Sequence, residues 1–283
     1  TLITSSLLGS DEDKLSKIKR SVEQTSEKSV FADISIAAGV MILASGTNNE
    51  IFDGEFSYLN NSPDVQYEIV GDEGRLSIEF DDFGKLDKDE DRSVKNLSSL
   101  DNFYENECRL NLSDKMPLSL NLDLGLVKGE LSLGGLQLQE IKMSSGVSKA
   151  FVSFNEPNPI LLKRFEIEAG VGDLELTELG NANIKYFKFE GGIGNYVLDF
   201  SGDLRQDSRV DIDVSLGKLK MLIPSSHGVR IQVEKSFLSS FSIDDVYIKD
   251  GNYYNANWEK SEINLDINIV SEVGKVSVVW LED

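Results

Sequence analysis

From Val30 to the end of the chain, apolar and polar residues alternate one by one. Ala32-Asp33-Ile34-Ser35-Ile36, Val65-Gln66-Tyr67-Glu68-Ile69 and Leu76-Ser77-Ile78-Glu79-Phe80 are three such runs. A period of two marks a half-buried strand, because successive side chains point to opposite faces. Gly and Asn punctuate the runs at Gly39, Gly46, Asn48, Asn49, Gly54, Gly71 and Gly74. No stretch beyond residue 30 carries a helical period, so the pattern predicts an all-β chain.

The second half repeats itself. Phe165-Glu166-Ile167-Glu168-Ala169-Gly170-Val171-Gly172-Asp173-Leu174 alternates, passes a glycine corner and alternates again. Tyr186 to Leu198, Val210 to Leu222 and Leu265 to Val278 do the same, and Leu118 to Leu133 is an earlier copy. Aligning Val171, Ile193 and Leu216 gives a period of roughly 22 residues, in the range of solenoids. One unit of strand, corner, strand and polar return cannot bury its apolar side alone. Stacked units can, since each backbone pairs with the coil above and below. The predicted fold is therefore a single-domain β-helix or solenoid with glycine-cornered coils. A β-sandwich of antiparallel hairpins shows the same alternation and is the alternative; the regular corner spacing favours the coil.

Three stretches depart from the pattern. Residues 1–30 read as a linker or processed leader remnant, with Leu15, Ile18 and Val22 at the spacing of a short frayed helix. The solenoid then occupies residues 31–283. Residues 81–110 hold the acidic group Asp81, Asp82, Asp87, Asp89, Glu90 and Asp91 and read as a surface loop. Residues 234–262 form a second irregular stretch before the final coil.

Charge and composition narrow the function. With 28 basic against 49 acidic residues the formal charge is -21, which repels nucleic acid and anionic lipid, both of which are bound through Lys and Arg. Nucleic-acid partners are excluded on that ground. No run reaches the ~18–20 apolar residues of a membrane-spanning helix. Because the sequence starts at Thr1, a removed upstream signal or membrane anchor is expected. One cysteine, Cys108, and one histidine, His227, leave no parts for a disulfide framework or a cysteine-based zinc site.

The remaining candidate chemistry is weak. Asp87-Lys88-Asp89-Glu90-Asp91 resembles the start of a calcium loop, but Arg92 and Ser98 stand where the pattern needs Gly and Glu. Gly192-Ile193-Gly194 is followed by a strand rather than a helix, so it is a corner and not a nucleotide loop. Asp211 and Asp213 share one strand face, with Asp199 and Asp203 expected on a neighbouring coil; such acids are the parts of a polysaccharide lyase or glycosidase. His227 sits in a turn, Pro224-Ser225-Ser226-His227-Gly228, and Cys108 in a strand. Tyr247, Tyr253, Tyr254 and Trp258 form the densest aromatic group, beside Asn252, Asn255 and Asn257. They suit either a cap over the hydrophobic end of a solenoid or a platform for a sugar or protein partner. No catalytic residue, metal site or cofactor is assigned.

These coils resemble the toast-rack domain family of adhesins, which is related to the LiaF-like cell-envelope stress proteins. The resemblance rests on Ala32-Asp33-Ile34-Ser35-Ile36-Ala37-Ala38-Gly39, Phe52-Asp53-Gly54, Gly170-Val171-Gly172-Asp173-Leu174 and Gly192-Ile193-Gly194-Asn195-Tyr196. It continues in Tyr253-Tyr254, Asn257-Trp258 and Ile263-Asn264-Leu265-Asp266-Ile267 before Val273-Gly274-Lys275-Val276. It implies a right-handed coil near or outside a bacterial membrane (periplasm or cell surface) and carries over no catalytic residues. The expected function is a non-catalytic, extracytoplasmic scaffold or adhesin-like module of the cell envelope, binding an envelope protein or glycan, with Tyr253, Tyr254 and Trp258 as contacts. A β-helix polysaccharide-degrading enzyme and an envelope-stress signalling module are the alternatives.

Overall fold

The computed structural model describes residues 3–7, 15–46, 49–82 and 106–282. Seven long strands form its body: β3 (Ser29–Ser45), β8 (Pro117–Ser132), β9 (Gln137–Ser153), β10 (Arg164–Thr177), β11 (Tyr186–Asp199), β12 (Ser208–Pro224) and β17 (Asn264–Leu281). They stack in that order and every neighbouring pair is parallel. Parallel pairing excludes the hairpin sandwich and gives the stacked coil. The register sets Val171 against Ile193 and Ile193 against Leu216, the same alignment that the sequence repeat gives.

Each rung bends once, at its glycines. Before the bend, Phe165 and Ile167 point inward; after it, Leu174 and Leu176 do. The inward phase thus changes from odd to even positions, and Gly170 is passed over in the pairing between Ala169–Gly191 and Val171–Ile193. One extra residue at each corner lets both arms of a rung face a common core, in the manner of a β-bulge.

The glycines there are obligatory. A Cβ on Gly172 would lie 1.7 Å from the Ser148 carbonyl oxygen, one on Gly194 1.8 Å from that of Gly172, and one on Gly217 1.8 Å from that of Gly194. Gly172, Gly217 and Gly274 also have φ of 139–141°, a conformation open essentially to glycine.

The returns between rungs also send side chains into the core. Phe154 and Phe200, from two returns, extend the edge-to-face chain Phe154–Phe165–Phe187–Phe200, with centroids 6.0, 5.3 and 6.2 Å apart. Asn158 is fully buried and cross-links three levels: its Oδ1 accepts from Leu138 N at 3.1 Å, and its Nδ2 donates to Leu138 O at 2.9 Å and Ala182 O at 3.1 Å. The only helical turn among the described residues is a 3₁₀ turn at Leu179–Ala182.

Both ends are closed by split rungs. At one end β6 (Glu73–Phe80) and β7 (Glu107–Leu112) together cover β3. Antiparallel strands β1 (Ile3–Leu7), β2 (Ser16–Glu23), β4 (Glu50–Tyr58) and β5 (Asp64–Val70) pack onto these. At the other end β13 (Gly228–Lys235) and β14 (Ser239–Ser242) cover β17. A hairpin of β15 (Tyr247–Lys249) and β16 (Asn252–Tyr254) pairs with β13.

Two expectations are corrected here. Ser16–Glu23 is a strand and not a frayed helix: Ile18 and Val22 are buried on its one inward face, and the spacing of four that suggests a helix also fits a strand. Asp82 is not a solvated loop residue. It is buried, and its carboxylate accepts from the backbone N–H groups of Leu59 and Asn60 at 2.9 Å. The calcium-like run Asp87–Asp91 lies outside the described residues.

Candidate functional site

The aromatic group is divided by the strand alternation of the β15–β16 hairpin. Tyr253 turns towards the core and packs on Phe241, with centroids 5.0 Å apart. Tyr254, its neighbour, turns the other way. It stacks on Tyr247 at 5.3 Å with the rings 17° from parallel, and Trp258 closes on it at 5.9 Å. Capping and surface display are therefore shared between adjacent residues, with Tyr253 in the cap and Tyr247, Tyr254 and Trp258 outside.

The hairpin is held from below. Asn255 is buried; its Oδ1 accepts from Val229 N at 2.9 Å and its Nδ2 donates to His227 O at 2.7 Å. Asn257 Nδ2 donates to Ser225 O at 2.9 Å. Tyr254 pairs in register with Arg230, whose guanidinium makes a two-pronged contact with Asp266, Nε to Oδ1 at 2.7 Å and Nη2 to Oδ2 at 2.8 Å. A flat aromatic surface thus stands beside a fixed ion pair at one end of the coil. His227 is half-buried in the turn beneath.

The acids singled out for catalysis do not converge. Asp211 lies between Lys188 and Asn268 on the first arm, while Asp199 ends the second arm opposite Leu222. Asp199 accepts from Ser201 N at 2.8 Å, and Asp203 pairs with Arg205 at 2.8 Å. Burial raises the Asp211 carboxyl, but hydrogen bonds from Asn268, Arg209 and Tyr186 outweigh it and hold the group below its ordinary value.

Of the four, Asp213 alone joins a set that lines a groove of about 590 Å³ along the corner: Asp123, Glu168, Glu190, Asp213 and Glu272, over a floor that includes Gly146, Gly170 and Gly192. Of these, Glu168, Glu190 and Asp213 share one column of the ladder. The repeat alignment holds the signal for them, three positions before Val171, Ile193 and Leu216. They form a row of like charges rather than a pair flanking a bond. Burial, then Glu272 and Glu190, push the Asp213 carboxyl above its ordinary value. Among the described residues no group of His, Cys, Asp or Glu is arranged to hold a metal. Cys108 is buried in β7, where burial and the nearby Glu107 raise its thiol well above the ordinary value, so it is not an activated nucleophile.

Fold and surface together define a class: a parallel, glycine-cornered β-coil capped at both ends. The chain belongs to the toast-rack family, since residues 11–159, more than half of the 283, match the model of the N-terminal domain of toast-rack, DUF2154.

No curated protein matches the chain. Among solved structures, a "putative cell adhesion protein" of Clostridium sporogenes is 22% identical over 95% of this chain and 100% of its own, with a TM-score of 0.49. A "putative adhesin" of Bacteroides fragilis is 13% identical, with 93% and 97% covered and a TM-score of 0.35. A "putative lipid binding protein" of Parabacteroides distasonis is 9% identical, with 93% and 96% covered and a TM-score of 0.30. Likenesses this distant decide nothing about function. No described helix is long and apolar enough to cross a membrane.

Proposed function

We propose that the chain is a non-catalytic, adhesin-like interaction module of a bacterial cell envelope, acting outside the cytoplasm, and that it binds glycan at the outer face of the β15–β16 hairpin. The observation that carries the reading is the outward cluster of Tyr247, Tyr254 and Trp258 next to the Arg230–Asp266 pair. Sugar rings present C–H faces that stack on aromatic planes, and hydroxyls that suit a planar ion pair at the edge. The stiff ladder beneath keeps these rings in place, so little ordering entropy is lost on binding. Tyr253 serves the site from behind, by seating the hairpin on the core. Membership of the toast-rack family supports an envelope role in general terms.

The test is a glycan array containing pectins and peptidoglycan fragments, read for binding and for product, with and without calcium. Binding without turnover that falls at least tenfold in Trp258→Ala, with the fold retained, is the expected result. Product formation would overturn the reading and direct attention to the groove carboxylates. Binding indifferent to Trp258→Ala would remove the aromatic face from it.

A further inference from the structure

From β8 to β17 the outer edge of each corner carries a half-buried or exposed apolar side chain, whereas Ala38 at the corner of β3 is buried. Val147, Val171, Ile193 and Leu216 are 40–51% exposed and stand directly above one another; Leu126 continues the line at one end and Val273 at the other. The next level is the turn between β13 and β14, where Leu238 is 57% and Phe237 95% exposed. Seven levels at ~4.8 Å make a straight ridge of roughly 29 Å. Scattered surface apolars need no explanation, but a contiguous line of them does.

On one side of the ridge runs the groove with its glycine floor and its carboxylates Asp123, Glu168, Glu190 and Asp213. On the other side, two positions past the ridge, runs a column containing Lys128, Lys149, Lys218 and Lys275. Among the described residues these lysines have no ion-pair partner within the chain. The fifth and sixth members of that column are Asp173 and Asn195, which bond to each other at 2.8 Å.

We infer that this edge pairs with a second copy of the same chain, the two coils side by side and parallel, about a two-fold axis along the stacking direction. Such an axis exchanges the two sides of the edge while keeping levels matched. The ridge of each copy then enters the glycine-floored groove of the other. The Lys column of each meets the acidic wall of its partner, with Lys128 level with Asp123 and Lys218 level with Asp213. An antiparallel pairing would instead set acid against acid and lysine against lysine, which charge forbids. Asp173 against Glu168 is the one unfavourable meeting, and Asn195 already engages that Asp173 carboxylate. Five residue steps from Glu168 to Asp173 span about 17 Å at ~3.3 Å each, so the pairing region is about 29 by 17 Å and buries roughly 1,000 Å² in total. That is below a standard interface, so the dimer is weak and concentration-dependent. It leaves the aromatic face of the β15–β16 hairpin out of account and stands or falls separately from the glycan reading.

The experiment is sedimentation velocity on the whole chain from ~10 μM to ~1 mM at about 0.15 M salt, where screening removes the long-range repulsion between two acidic molecules. A mass that doubles with concentration from 31.4 kDa is expected. Ile193→Asp and Leu216→Asp, both at exposed positions, should each move the midpoint at least tenfold upward without altering the melting temperature. Polarity is read by disulfide trapping: Asp213→Cys mixed with Lys218→Cys should give a mixed dimer faster than Asp213→Cys alone. A monomer at every concentration, a dimer indifferent to Ile193→Asp, or faster trapping of Asp213→Cys with itself would each overturn the inference.

Discussion

Gly217→Ala should be among the most damaging single-methyl changes available in this chain. The added Cβ would sit 1.8 Å from the Gly194 carbonyl oxygen, 2.9 Å from its carbon and 3.1 Å from the Gly194 nitrogen. All three are backbone atoms of the neighbouring rung, so no side chain can turn away to make room. Relief requires the rung to rise by more than 1 Å at ~4.8 Å spacing, which breaks two or three ladder hydrogen bonds worth about 1 kcal/mol each. The backbone φ of 139° adds strain of about 1–3 kcal/mol for a residue with a side chain. The sum is about 3–6 kcal/mol. Two controls separate the terms. Gly71 has φ +67° and nothing within 4 Å of its Cβ, so Gly71→Ala carries left-handed strain alone, about 1–2 kcal/mol. Gly129 meets only ordinary contacts, from 3.4 Å, with no positive φ, so Gly129→Ala should be neutral or gain about 0.5 kcal/mol through the unfolded chain. Equilibrium urea unfolding followed by far-ultraviolet circular dichroism measures all three. If Gly217→Ala lost no more than Gly71→Ala, the stacked-glycine argument would be refuted.

Four further predictions follow from other parts of the structure. Phe187→Ala, at the centre of the buried aromatic chain, should cost about 3–5 kcal/mol in the same urea assay; a loss under ~1 kcal/mol would mean that the core closes over the gap. Asn158→Ala orphans Leu138 N and O and Ala182 O and should cost about 2–4 kcal/mol, with hydrogen exchange accelerated first at Leu138. Burial raises the Glu27 carboxyl, but hydrogen bonds from its own backbone N–H and from Thr25 outweigh it and hold the group below its ordinary value of 4.5. Its stabilisation is present above that value and lost as pH falls through the lowered folded value, so Glu27→Gln should cost about 1 kcal/mol at neutral pH and progressively less as pH drops below 4.5. Asp213, whose carboxyl is raised, has the opposite sign: its ionised form opposes folding, and the cost disappears as pH falls through the raised value. Asp213→Asn should therefore raise the melting temperature at pH 7 and leave it unchanged near pH 3, and equal shifts at both would refute the electrostatic cause.

The coil can be read directly from the order of residues along the chain. Alternation fixes strands, and the 22- and 23-residue steps from Val171 to Ile193 to Leu216 are the register steps of the ladder. This works because in-register parallel stacking brings every repeat back to the same position, so sequence period and spatial period coincide. The frayed helix at Leu15, Ile18 and Val22 failed because three apolar residues cannot tell a spacing of four in a strand from one in a helix. The aromatic group of the β15–β16 hairpin was visible as a cluster, but which ring caps and which ring faces out depends on the pairing of β13 with β16, some two dozen residues apart in the chain.

What the corners do becomes visible once the rungs are stacked. A continuous alternation carries Val171, Ile193 and Leu216 inward with Ile167, Phe189 and Val214. One unpaired residue at each bend reverses the phase, because two arms can share a core only if their inward faces change parity. That slip puts the apolar column on the surface and opens the acidic groove beside it. It is set by how the rungs lie on one another, which no single rung encodes.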